Sequence, residues 1–155
     1  MRLSAVLILI LTMTAPAALA CALPAGAESL RKEAAALINA QRRAEGLPAL
    51  TSDPRLMQAA QSHACDNAGR RTMSHQGGDG STLKDRLRRA GYAYRAANEN
   101  VAMGQRNAET VVASWMASSG HRRNILQRGT REMGIAVALA PDGRPHWVFL
   151  SGQSR

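Results

Sequence analysis

The chain has 155 residues, long enough for one domain of ordinary size, and carries 20 Lys and Arg against 11 Asp and Glu, a formal net charge of +9. So basic a surface favours anionic surfaces such as envelope polymers. The arginine pairs Arg42-Arg43, Arg70-Arg71, Arg88-Arg89 and Arg122-Arg123 are scattered, and no nucleic-acid motif accompanies them; this excludes a specific nucleic-acid reader and leaves a solvated basic surface as the plainer account.

The first twenty residues, MRLSAVLILILTMTAPAALA, read as an export signal. Arg2 supplies the positive start, Leu7 to Leu11 the apolar centre and Ala18-Leu19-Ala20 a small-x-small cleavage site. The apolar run is too short to span a bilayer and is broken by Pro16. The domain is therefore expected over residues 21–155, secreted to the periplasm or beyond, with no transmembrane segment once the signal is removed. Loss of Arg2 leaves 19 basic against 11 acidic side chains, a net of +8. Cys21 directly after the cleavage site also permits a lipoprotein anchor, the less favoured reading because Ala18 fits that pattern poorly. Cys65 is the other cysteine. Export permits a Cys21–Cys65 disulfide, which would pin a terminus that otherwise frays; two unpaired thiols are the alternative.

In chain order, Leu30, Ala34, Leu37 and Ile38 form the apolar stripe of a helix ending near Ala44, closed by Gly46 and Pro48. Asp53-Pro54 then reads as a helix cap with proline in the first turn, opening a helix to about Ala68. Leu56, Met57, Ala60 and Ala64 form its apolar face, with His63 beside it as a packed histidine holding a backbone partner. A glycine-rich loop containing His75 precedes a short helix from Ser81 to Gly91, and a further loop leads to NENVAMG. Asn107 caps the next helix, where Val111, Val112, Trp115 and Met116 face the core. Gly120 is expected to reverse the chain, so that a short helix starts at His121. Met133, Ile135, Val137 and Leu139 alternate with small residues, Pro141-Asp142-Gly143 turns, and Trp147 to Leu150 return: a hairpin. The fold class is α+β, with helices packed on a small antiparallel sheet.

Chemistry-bearing residues are few. There is no Gly-x-Ser-x-Gly elbow and no His-Glu-x-x-His. Ser118 and Ser119 lie near His121 in sequence, but no orienting acid is evident. Glu99, between two asparagines in a stretch of small apolar residues, reads as a buried acid that must be paired. His75, His121 and His146 are its natural partners, either in a structural hydrogen-bond network or around a shared divalent cation.

Four stretches, MSHQGGDGSTLKDRLRRAGY, ENVAMG, WMASSGHRRNIL and GRPHWVFLSG, resemble in order the bacterial branch of the CAP superfamily, which contains cysteine-rich secretory proteins, antigen 5 and plant pathogenesis-related proteins. The resemblance implies a signal peptide, a three-layer α-β-α sandwich and an open cleft lined by two histidines and two acids, often holding zinc or another divalent ion. On this resemblance His75 and His146 are the cleft histidines and Glu99 the first acid. Ser118 stands where the family places its second acid, a departure that weakens metal binding. His121 belongs to the bacterial GHRxNIL motif and faces the cleft. The implied metal set is His75, Glu99, His121 and His146, with zinc possible and no cofactor required. Read as a whole, the chain is a secreted binding or scaffold module of the envelope. A cleft hydrolase with a metal- or glutamate-activated water among His75, Glu99 and His121 is the alternative. Lipid or sterol binding ranks last, since a single Phe, two Trp and two Tyr are available to line a groove.

Overall fold

The structure is a computed structural model and describes residues 21–155; the expected signal, residues 1–20, lies outside the described residues. Helix α1 (Ala27–Ala44) buries Ala34 and Ile38. Strand β1 (Thr51–Ser52) is minimal. Helix α2 (Pro54–Arg70) starts where Asp53 accepts from the Arg55 and Leu56 amides. Helix α3 (Leu83–Arg89) is opened by a capping box in which Thr82 and Asp85 each accept the other's backbone N–H. Strand β2 (Tyr94–Met103) follows, then α4 (Ala108–Ala117), capped by Asn107. Helix α5 (Ser119–Ile125) leads to the hairpin of β3 (Glu132–Leu139) and β4 (Pro145–Ser154).

The sheet order is β1-β3-β4-β2. β3 and β4 are antiparallel, as the sequence pattern predicts, and β2 adds to β4 antiparallel, whereas β1 pairs parallel to β3 through Thr51↔Glu132 and Ser52↔Met133. Two residues carry no readable alternation, so β1 leaves no sequence signal. Strand β2 stands where the sequence pattern predicts a loop. NENVAM is its C-terminal part, preceded by Tyr94 to Ala97, where Arg95 and a bulge between Tyr94 and Ala96 break the alternation.

Alternation along β3 and β4 divides two cores. Ile135, Val137, Trp147 and Phe149 face α1, α4 and Ile125 of α5. Ala136, Ala138, Val148 and Leu150 face α2 and Leu87. Helices therefore cover both faces, giving the three-layer α+β sandwich. The α2 side is built from small residues because the backbones approach closely there: a Cβ on Gly134 would run into the main chain of Leu56.

The α4–α5 break falls one residue pair earlier than expected. Ser118, at φ −93° and ψ 121°, makes the turn, while Gly120 sits inside α5 and is absent from the positive-φ positions. An extended residue between helices suffices, so no glycine is needed. Cys21 and Cys65 form a disulfide, and the Leu139 amide donates to the Ala22 carbonyl at 2.7 Å. The N-terminal segment is thus stapled to α2 and to the end of β3. In this state the Cys21 sulfur is not available for a lipid anchor.

Candidate functional site

Strand β2 is an edge strand, bonded among the described residues only to β4, and Glu99 stands on it facing the α2 layer, opposite Leu150. Placing a carboxylate there requires partners, and three elements supply them. From α3, Arg86 Nη2 donates to Glu99 Oε2 at 2.6 Å. From the loop after α2, His75 Nδ1 lies 2.8 Å from Glu99 Oε1. From α2, His63 Nε2 lies 3.8 Å from the same oxygen. Glu99 and Arg86 are buried, whereas the His75 side chain is largely exposed.

The tautomers follow from these partners. His63 Nε2 lies 2.8 Å from the Ser74 carbonyl and must donate to it. Asn67 Nδ2 donates to the same carbonyl at 2.9 Å, so α2 fixes the start of the loop that presents His75. His75 donates its Nδ1 proton to Glu99, which leaves Nε2 directed away from that bond, on a ring that lines the open cleft. The hydrogen bond to Glu99 raises the His75 pKa, partly opposed by burial. Burial lowers that of His63.

On the other face of β2, Asn100 is fully buried and donates to the His121 carbonyl at 3.0 Å. Asn124 Nδ2 donates to Asn100 Oδ1 at 2.8 Å and to the Glu99 carbonyl at 3.1 Å. These bonds hang α5 on the edge strand. His121 enters the site from α5; burial lowers its pKa, and the nearby His75 lowers it further. Both effects favour the neutral imidazole. The resulting cleft holds about 520 Å³ and is lined by His75, Gln76, Thr82, Asn98, Glu99 and Asn124 among others.

Not every expected member comes to this place. His146 shares the Glu99 face of the sheet but is opposite Met103, four residues along β2, about 13 Å away at strand rise. It is buried, and neither ring nitrogen closes a hydrogen bond among the described residues. Its pKa is lowered first by burial, with the Thr72 backbone acting the other way. His146 is therefore a core side chain here, because a strand carrying Trp147 and Phe149 inward on one face must bury its alternate residues on the other. Ser118 is half-buried at the α4–α5 turn, and its side chain makes no hydrogen bond to the Glu99 group.

A divalent ion, which the family resemblance implies, does not fit this donor set as arranged. Among the described residues, no group of three or more His, Cys, Asp or Glu side chains is placed to hold a metal ion. Glu99 already faces a guanidinium, whose charge opposes a cation at the same oxygens. Sequence reasoning missed Arg86 and the second role of His63. The signal was present: Leu83, Arg86, Leu87 and Ala90 follow i, i+3, i+4, i+7 spacing, which puts Arg86 on the buried face of α3.

Residues 35–151 match the model of the cysteine-rich secretory protein family, CAP. The uncharacterized protein YkwD of Bacillus subtilis is 33% identical over 112 residues, covering 72% of this chain and 44% of its own length; the chain thus spans under half of that relative. An outer surface protein of Borrelia burgdorferi superposes with a TM-score of 0.74 at 23% identity, over 80% of this chain and 92% of that one. An extracellular SCP-domain protein of Bacillus anthracis gives the same TM-score at 24% identity, over 82% of this chain and 41% of that one.

Proposed function

Because this chain belongs to the cysteine-rich secretory protein (CAP) family, we propose that it acts outside the cytoplasm as a reversible binding domain of the cell envelope, with the cleft over Glu99 as its ligand site. Its structural neighbours include an outer surface and an extracellular protein, and among the described residues no helix is long and apolar enough to cross a membrane. The observation that carries the binding reading is the Glu99–Arg86 bond of 2.6 Å. A carboxylate with one oxygen held by a buried guanidinium is a poor metal ligand, yet it is a rigid post on which His75 and the cleft wall are set. The anionic polymers of the envelope are partners of the right sign for a domain whose residues 21–155 carry 19 basic against 11 acidic side chains, a net of +8.

A second reading has one observation in its favour. Glu99 orients His75 through Nδ1, which is how a carboxylate prepares an imidazole to act as a general base through its other nitrogen. His75→Gln separates the two. The variant removes the base while leaving Glu99 paired with Arg86. A binding domain shows no turnover of protein or cell-wall substrates in either form; a hydrolase shows turnover that His75→Gln abolishes at unchanged melting temperature.

A further inference from the structure

The free edge of β2 and a basic groove adjoin as a track: Leu83 and Ala97 line the Glu99 cleft, and Lys84 and Arg95, one and two residues from them in the chain, line the groove. On β2 the carbonyl of Glu99 accepts from Asn124 and that of Val101 accepts from the Trp115 indole, so these residues point their backbone groups away from β4. The Gly104 amide bonds back to Pro145, which fits the even-numbered residues facing β4. Period-two alternation then turns the Ala97 N–H and C=O, and the Glu99 N–H, toward the free edge. They have no other partner among the described residues, and Ala97 lines the open cleft. Long edges of this kind are usually blunted by charge, proline or a covering loop.

Helix α3 carries the track onward. Thr82 and Leu83 line the Glu99 cleft, and Lys84 and Arg88 line a groove of about 640 Å³ with Tyr94, Arg95 and Arg155. Four cations and no acid line that groove. Tyr94 stacks on the buried Tyr92 with ring centroids 6.4 Å apart, giving it a rigid apolar floor.

We infer that this track binds an extended peptide as an added strand on β2, pairing with Ala97 and Glu99, with acidic side chains of the peptide lying in the Lys84–Arg95 groove. From Arg95 to Glu99 is four residue rises along β2, about 13 Å, so a short segment suffices. Main-chain pairing gives affinity without demanding a sequence, and the cations set the sign of one end. An anionic glycan could use the cations but has no amides to match the edge. The inference rests on the binding reading above.

The test uses the whole protein and the peptide acetyl-Asp-Glu-Val-Thr-Val-Ser-amide, titrated by calorimetry at low salt. Saturable binding is expected, weakened about tenfold or more by N-methylation of alternate peptide amides and by Ala97→Pro, since proline removes an edge donor while the ladder to β4 does not use that N–H. Lys84→Glu with Arg95→Glu should cost about tenfold, whereas Arg43→Glu with Arg106→Glu, the same charge change elsewhere, should cost less than about threefold. Should Ala97→Pro fail to fold, the N-methylated peptides on the unaltered protein decide. Absence of saturable binding, indifference to both N-methylation series, or equal losses in the two charge variants overturns the inference. So does tighter binding of trigalacturonate or oligodeoxythymidylate with the same Lys84 and Arg95 dependence. Peptide recovered cleaved by the unaltered protein and intact from His75→Gln would instead defeat the binding reading.

Discussion

Arg86 donates to Glu99 across 2.6 Å with side-chain exposures of only 5% and 4%. Desolvating two charges is expensive, and neither can be neutralised alone without stranding the other. Glu99→Gln should therefore lower stability by about 3 kcal/mol, and Arg86→Met by a similar amount. The double replacement Glu99→Leu with Arg86→Met should recover much of that loss. Urea unfolding measures all three; single variants within about 0.5 kcal/mol of the unaltered protein would show that the pair is not a structural unit.

Asn124 ties α5 to the edge strand through Asn100 and the Glu99 carbonyl. Asn124→Ala leaves a buried amide oxygen on Asn100 unpaired and should cost about 1–3 kcal/mol. The sharper readout is local. Amide hydrogen exchange in residues 119–125 should accelerate while α2 keeps its protection. Uniform acceleration across both helices would mean that the bond supports only global stability.

The motifs ENVA and GHRxNIL gain a physical reading from this contact. The asparagine after Glu99 and the asparagine three places after His121 are the two halves of one clamp, a long-range pairing invisible to any local pattern. By contrast, α1, α2, α4 and the β3–β4 hairpin were legible because their periodicity and caps are local. Strand β2 was not legible as a strand, since an edge strand with one face in a polar cleft does not alternate. His146 was misplaced for a related reason: sequence position puts it in a motif, but only register reveals that it sits four residues from Glu99 along the sheet. Arg86 was overlooked among surface arginines although its helix spacing marked it as buried.

His146 offers a prediction opposite in sign to that of a functional histidine. Both ring nitrogens are buried and neither closes a well-formed hydrogen bond among the described residues, so the imidazole carries a desolvation cost that the nearby Thr72 backbone offsets only in part. His146→Leu should be neutral or stabilising by about 1 kcal/mol, since it replaces unpaired polar atoms with a side chain of similar size. Destabilisation beyond about 2 kcal/mol in urea unfolding would place a hydrogen-bond partner on that ring.

Zinc should bind weakly. With Glu99 engaged by Arg86, a titration at neutral pH is expected to give a dissociation constant no tighter than about 100 µM, and a chelator should leave the melting temperature unchanged. The raised pKa of His75 extends proton competition above the ordinary imidazole range, so affinity should fall earlier on acidification than for a free histidine. Submicromolar binding would require the Arg86–Glu99 bond to open.

Stability itself should fall on acidification between about pH 7.5 and 5, and the histidines set the sign. Burial depresses the pKa of His63, His121 and His146. Below the unfolded value of roughly 6.5, the unfolded chain takes up protons that these folded sites refuse, so their stabilisation is whole above that pH and is lost as pH drops through it. His75 works in the other direction. Its raised pKa adds stability that is complete below about 6.5 and disappears as pH rises through the folded value. Three sites oppose one, so the net change on acidification should be a loss of stability. Removing His63 by His63→Gln should flatten the slope, whereas His75→Gln should steepen it. Urea unfolding at pH 5.0 and 7.5 measures both. A steeper slope for His63→Gln would mean that His63 is protonated in the folded protein and held by Glu99 and Asp66, which lie 3.8 and 4.0 Å from its ring nitrogens.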